Sequence, residues 1–199
     1  MTALADVDLV LASTSAYRRE LLARLGAPFR RQSPLSDETA LPDEPPDRLA
    51  ARLAATKARA VAAGNANALV IGSDQVADCD GRILGKPGDL GNARRQLRAS
   101  SGRRVVFHTA ICLIDTRVAP AREFHALDTT TVAFRRLDEA ETERYLAREQ
   151  PFDCAGSFKS EGLGIALFER IESHDPTALI GLPLIALCRL LREAGISIM

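Results

Sequence analysis

The spacing of apolar residues changes period several times along the chain, and each change marks an element. Residues 8–13, "DLVLAS", form a short apolar run that stops at small polar residues, as a buried strand does. In "TSAYRRELLARLG" the apolar positions Tyr17, Leu21, Leu22 and Leu25 recur at helical spacing, and Gly26 supplies the stop. "APFRRQSP" reads as a candidate second strand, and "SDETALPDEPPDR", rich in Pro and acid, reads as an exposed loop. Residues 47–63 then form an alanine-rich amphipathic helix ended by Gly64.

The second half follows the same logic. Residues 69–76 read as a buried strand, "DCDGR" as a hairpin turn, and 89–100 as a helix. "RRVVFHTAICLID" and "REFHALDTTTVAFRRL" are long strand-like stretches that suggest an antiparallel pair. "DEAETERYLAREQ" opens with an Asp cap and reads as a helix. "CAGSFKSEGLGIALFERIES" is Gly-rich and then strand-like, and the last helix starts near Pro183. Strands alternating with helices, plus long hairpins, predict a mixed α/β sheet flanked by helices in one domain over 1–199.

Composition narrows the function. The 199 residues carry 26 basic and 26 acidic side chains, so no whole-molecule field favours nucleic acid or a membrane surface. Trp is absent and aromatics are scarce, which argues against a stacking surface for single strands. Cys79, Cys112, Cys154 and Cys188 lie far apart without zinc-like spacing and read as reduced thiols. The N-terminus lacks the basic start of a signal peptide, and no apolar segment approaches membrane-spanning length; the expectation is a cytoplasmic protein.

Chemistry concentrates in a few places. Where "LASTSAYRRELL" passes from strand to helix, unpaired N–H groups and the helix dipole could bind an anion, and Arg18 and Arg19 add positive charge there. Alternatively, Ser13 or Ser15 caps the helix and the arginines are solvated. In "LVIGSDQVADCDGRILGKP", Asp74 ends an apolar run, which is costly unless it meets solvent, a donor or a metal; a turn cap is the plainer reading. Lys86 is not a P-loop lysine, because the glycine spacing is one residue short and Pro87 replaces the hydroxyl residue. It can still meet phosphate as a point charge.

Glu38 and Lys57 read individually as solvated charges. Lys159 and Glu161 sit among glycines, as where backbone passes close to a ligand or as in a flexible hairpin. His108, His125 and His174 are isolated, and there is no Gly-x-Ser-x-Gly elbow. Carboxylates plus scattered Lys and Arg remain, a set suited to metal-assisted attack of water on phosphate.

"STSAYRREL", "DET", "KARA", "IGSDQV", "GKP" and "AGSFKSEGLG" stand in the order and spacing of the Maf family of nucleoside triphosphate pyrophosphatases, over nearly the whole chain. The "GSDQV" and "FKSEG" forms resemble the branch acting on 7-methyl-GTP; the dTTP/UTP branch has Thr after the catalytic Asp and Gln where Glu161 stands.

The resemblance implies an elongated mixed sheet of the Maf and ITPase kind, with two lobes around a central cleft. It implies a small-molecule nucleotide substrate, a divalent cation, Mg²⁺ or Mn²⁺, and no nucleic-acid or membrane partner; a homodimer stays open. On matching positions it makes Asp74 the base that activates water and Glu38, with Asp74, a metal holder. Ser13, Arg18, Lys57, Lys86 and Lys159 surround the triphosphate, and Tyr17, Gln75 and Glu161 choose the base. Ala16 replaces the proline usual after "STS", which loosens that helix start without removing a catalytic group. The competing expectations are another nucleotide substrate, such as dTTP or UTP, and a non-hydrolysing regulator linked to cell division.

Overall fold

The first strand, β1 (Thr2–Ala3), pairs in parallel with the last, β9 (Ile196–Ser197), as a small separate sheet. The computed structural model describes residues 2–199. The main sheet follows the order β3-β2-β4-β6-β7-β8, with β5 paired to β4. Its strands are β2 (Asp8–Leu11), β3 (Arg30–Arg31), β4 (Ala68–Cys79), β5 (Arg82–Leu84), β6 (Arg104–Asp115), β7 (Arg122–Phe134) and β8 (Phe168–Glu172).

Strand β2 runs parallel to both β3 and β4, with Leu9 opposite Leu69 and Leu11 opposite Ile71. Parallel neighbours require long crossovers. The helices α1 (Ala16–Ala23) and α2 (Pro46–Ala62) lie in those connections. The β4–β5 and β7–β8 pairs are antiparallel. The expected mixed α/β sheet with flanking helices is therefore present; α3 (Leu90–Ser100), α4 (Glu139–Glu149) and α5 (Leu184–Glu193) complete the set.

The sequence misjudged two strands. "APFRRQSP" yields only the two residues of β3, and β4 runs three residues past the expected Val76. Asp74 accordingly lies inside a strand, not at its end. The strand continues because Ala77, Asp78 and Cys79 still have partners in β5, across the turn that Asp80 and Gly81 make with positive φ.

The chain packs as two compact units. The first holds the described residues up to Asp74, Thr109–Asp128 and Asp175–Met199; the second holds Gln75–His108 and Thr129–His174. Leu9, Leu11, Leu69, Ile71, Leu187 and Leu191 anchor the first core. In the second, Phe107, Phe134, Phe158 and Phe168 meet edge to face, with centroids 4.7–5.6 Å apart along the cluster. Among the described residues, no helix is long and apolar enough to cross a membrane.

Candidate active site

Helix α2 starts with Pro46 in its first turn, where a missing N–H costs nothing and φ is already set, and Asp47 follows at the favourable end of the dipole. Its buried stripe includes Leu49, Leu53, Lys57 and Val61, each four residues apart, so one lysine stands in a row of apolar side chains. The stripe lies hard against β4 at Gly72. A Cβ there would sit 2.2 Å from the Ala54 carbonyl oxygen and 2.6 Å from the Ala58 nitrogen. Only glycine permits this approach, and the approach is what lets Lys57 reach β4.

Lys57 Nζ donates to Asp74 Oδ1 at 2.6 Å and lies 2.9 Å from Glu38 Oε1. The Lys57 and Asp74 side chains are 7% and 9% exposed, whereas Glu38 is 57% exposed. A buried carboxylate inside a strand is tolerated because a buried ammonium pairs with it. Glu38 closes the trio from the water side. Read as solvated in the sequence, Lys57 is the group on which both carboxylates converge.

The acidic loop carrying Glu38 is braced from α2. Arg52 donates to both oxygens of Glu44, at 2.6 and 2.7 Å, and to the Thr39 carbonyl at 3.0 Å. The Arg52 hydrogen bonds hold the Glu44 carboxyl down at about 2. Thr39 N–H in turn donates to Asp37 Oδ1 at 2.9 Å.

At the start of α1, Ser15 is the N-cap and accepts from Arg18 N–H at 3.3 Å, while Ser13 Oγ accepts from Ser15 N–H at 3.1 Å. Tyr17, the second residue of the helix, is half-buried. The Arg18 guanidinium is not solvated: its Nε donates to the Gly181 carbonyl at 2.8 Å, an oxygen that also accepts from Ser73 Oγ at 3.1 Å. Burial draws the Arg18 pKa below its ordinary value, against the opposing pull of the Asp74 and Glu38 charges. Arg19 points elsewhere and pairs with Glu20 at 3.2 Å.

Gly181 belongs to a segment that the sequence reading passed over. Asp175, buried, accepts from Thr177 N–H and from Thr177 Oγ1, at 2.9 and 2.6 Å, and from Ile185 N–H at 2.7 Å. This fixes the stretch up to α5 and with it the carbonyl that holds Arg18. "DPTALIGLP" carried the signal: an Asp two residues before a Thr, then Gly and Pro, is turn chemistry with a buried job.

In the second unit, half-buried Gln75 follows Asp74 in β4, and Lys86 lies exposed in the irregular stretch after β5. Lys159 and Glu161 lie between two 3₁₀ turns, Ala155–Ser157 and Leu163–Leu167. Lys159 Nζ is 3.9 Å from Glu149 Oε1, and the exposed Glu161 accepts from Ser160 Oγ at 3.2 Å.

Two carboxylates that meet at one ammonium nitrogen can share one cation, and oxygen donors with an open water side suit Mg²⁺ or Mn²⁺. Glu38 and Asp74 are thus able to hold a divalent ion. His125, read as isolated, does have neighbours: ligand atoms of Cys112, Glu123 and His125 lie within 4.8 Å of one another. In that trio Arg59 donates to both oxygens of Glu123, at 2.8 and 2.7 Å. Burial also pushes the Cys112 thiol up to about 12.

Residues 8–194 match the family described as Maf-like protein. The 7-methyl-GTP pyrophosphatase of Xanthomonas oryzae pv. oryzae (strain MAFF 311018) is 62% identical over 187 residues, covering 94% of this chain and 96% of that one. Proteins of the same name from Ralstonia nicotianae and Nitrosococcus oceani are 57% and 54% identical. They cover 93% and 98% of this chain, and 94% and 97% of their own lengths.

Proposed function

The chain belongs to the Maf-like protein family, and we propose that it is a nucleoside triphosphate pyrophosphatase acting on 7-methyl-GTP. Water adds across the α–β phosphoanhydride, releasing 7-methyl-GMP and diphosphate. The observation that carries this reading is the Glu38–Lys57–Asp74 trio, which unites three residues of the family motifs around one buried ammonium.

Each residue has a part in the proposed reaction. Asp74 takes the proton of the attacking water. Glu38 and Asp74 would hold the divalent ion, which supplies charge neutralisation and a more acidic water when bound. A triphosphate brings about four negative charges that cations must offset as attack proceeds. Ser13, Arg18, Lys57, Lys86 and Lys159 take that role. Methylation at N7 makes the guanine cationic, so it stacks well on the face of Tyr17. The guanine edge offers two donors that one carboxylate accepts together, which suits Glu161, and Gln75 reads what remains.

The test is a product assay with Mg²⁺ or Mn²⁺. Purified protein converts 7-methyl-GTP to diphosphate, and Asp74→Asn lowers kcat by about 10²- to 10⁴-fold, the usual worth of a general base. Orthophosphate as the sole phosphorus product would refute the chemistry. The double change Gln75→Thr with Glu161→Gln shifts preference toward UTP; unchanged preference would refute the base-reading roles alone.

A further inference from the structure

We infer that Glu149 and Tyr145, both on α4, are positioning residues that hold the Lys159–Glu161 segment in its base-selecting shape. The inference rests on the reading above that Glu161 selects the base. The segment has little structure of its own, since 3₁₀ turns of three and five residues do not fix a loop unaided. Its restraint comes from α4. Tyr145 Oη accepts the Lys159 N–H at 3.3 Å, and Glu149 Oε2 accepts the Leu163 N–H at 2.6 Å. One bond precedes Glu161 and the other follows it. Tyr145 and Glu149 are four residues apart, so both face the segment from one side of the helix.

One glycine of the segment records the same contact, and a second records how tightly the segment folds on itself. A Cβ at Gly162 would lie 2.8 Å from Glu149 Oε2, and one at Gly164 would lie 2.3 Å from the Lys159 carbonyl oxygen. At Gly162 the backbone runs directly against the Glu149 carboxylate, and at Gly164 the segment folds back on its own Lys159 backbone, where a side chain has no room. Glu149 is itself only 17% exposed, and its second oxygen faces the Lys159 ammonium at 3.9 Å. Burial raises the Tyr145 phenol well above its usual value, so its oxygen stays a neutral acceptor. Glu149 thereby answers Lys159, while Glu161 accepts only a neighbouring hydroxyl among the described residues and keeps acceptor capacity for a ligand.

The experiment compares kcat/KM for 7-methyl-GTP with that for UTP, by diphosphate release, in the wild type and in Glu149→Ala, Glu149→Gln, Tyr145→Phe and Glu161→Gln. Glu149→Ala should lower the 7-methyl-GTP/UTP ratio by about tenfold or more, through KM for 7-methyl-GTP, since a displaced acceptor leaves base donors unpaired. Glu149→Gln keeps an oxygen for the Leu163 N–H and should restore most of the ratio. Tyr145→Phe should lower it in the same direction. If Glu149→Ala does not fold, Tyr145→Phe decides by the same measure.

A merely structural role would lower melting temperature, and kcat for both nucleotides in parallel, with the ratio intact. That outcome, with Glu161→Gln altering the ratio, overturns the inference alone. A ratio indifferent to Glu161→Gln overturns the base-selecting role and the inference with it.

Discussion

Lys57 concentrates the energetics of the site in one side chain. It is buried, it pairs with buried Asp74, and it faces Glu38 at the surface. Removing one member of a buried pair leaves an uncompensated charge, which costs about 3–5 kcal/mol. Lys57→Met should therefore destabilise the protein by about that amount in urea unfolding. Adding Asp74→Asn should recover part of the loss, because the stranded carboxylate is gone; additive losses would show that the pair is not energetically coupled. The sequence held this information without yielding it. Lys57 stands at the four-residue spacing of Leu49, Leu53 and Val61, inside the stripe that the helix buries. A charge in an apolar stripe must find a buried partner, and the partner lay in a strand seventeen positions on. Asp74 and the Lys159–Glu161 segment were legible from their neighbours, an apolar run in one case and flanking glycines in the other. Arg18 was legible as a misplaced cation, but not its acceptor, because a backbone carbonyl has no residue signature.

At the scale of elements, the contact between α2 and β4 sets the site. Gly72→Ala would drive a methyl group into the backbone of α2, and a strand flanked by neighbours cannot retreat. Overpacking of this kind costs about 1–3 kcal/mol. Stability in urea should fall by at least that, and diphosphate release should fall further than the unfolded fraction of Gly72→Ala explains, since Lys57 and Asp74 ride on the displaced elements. Retained activity at full stability would show that the two elements have slack. A second junction lies at the end of β6, where buried Asp115 accepts from Arg117 Nε and Nη2 at 2.8 and 2.9 Å and from Arg122 at 3.2 Å. Burial alone would raise its pKa; the arginine hydrogen bonds outweigh that and leave it lowered. A lowered native pKa adds stability above the ordinary carboxylate value near pH 4 and loses it as pH falls through the native value. Asp115→Asn should cost about 1.5 kcal/mol at pH 7, the worth of a charge-assisted bond, and the gap to wild type should close in strong acid. A gap independent of pH would exclude the charge as its cause. Helices and long strands were readable because period and caps are local, as with Asp138 before α4 and Asp89 before α3. The length of β4 was not, because it depends on β5 pairing beyond Val76.

At the scale of the whole molecule, acidic and basic residues cancel, so binding a polyanion depends on where cations sit and not on a global field. That separates enzyme from mere binder in one measurement. A ligand that binds only the native state stabilises it by about 2.7 kcal/mol at a hundredfold excess over Kd. Asp74→Asn removes the base and a charge but leaves Arg18, Lys57, Lys86 and Lys159 in the sequence. With Mg²⁺ and 7-methyl-GTP it should show a melting shift close to that of wild type measured before turnover, while releasing almost no diphosphate. Equal shifts in both proteins with no diphosphate from either would mean a nucleotide-binding regulator. A shift lost in Asp74→Asn would mean that this carboxylate acts mainly through the divalent ion it would hold with Glu38, and so through affinity and not through proton transfer. The first outcome, binding kept and turnover gone in Asp74→Asn alone, is the one that a carboxylate poised for proton transfer requires.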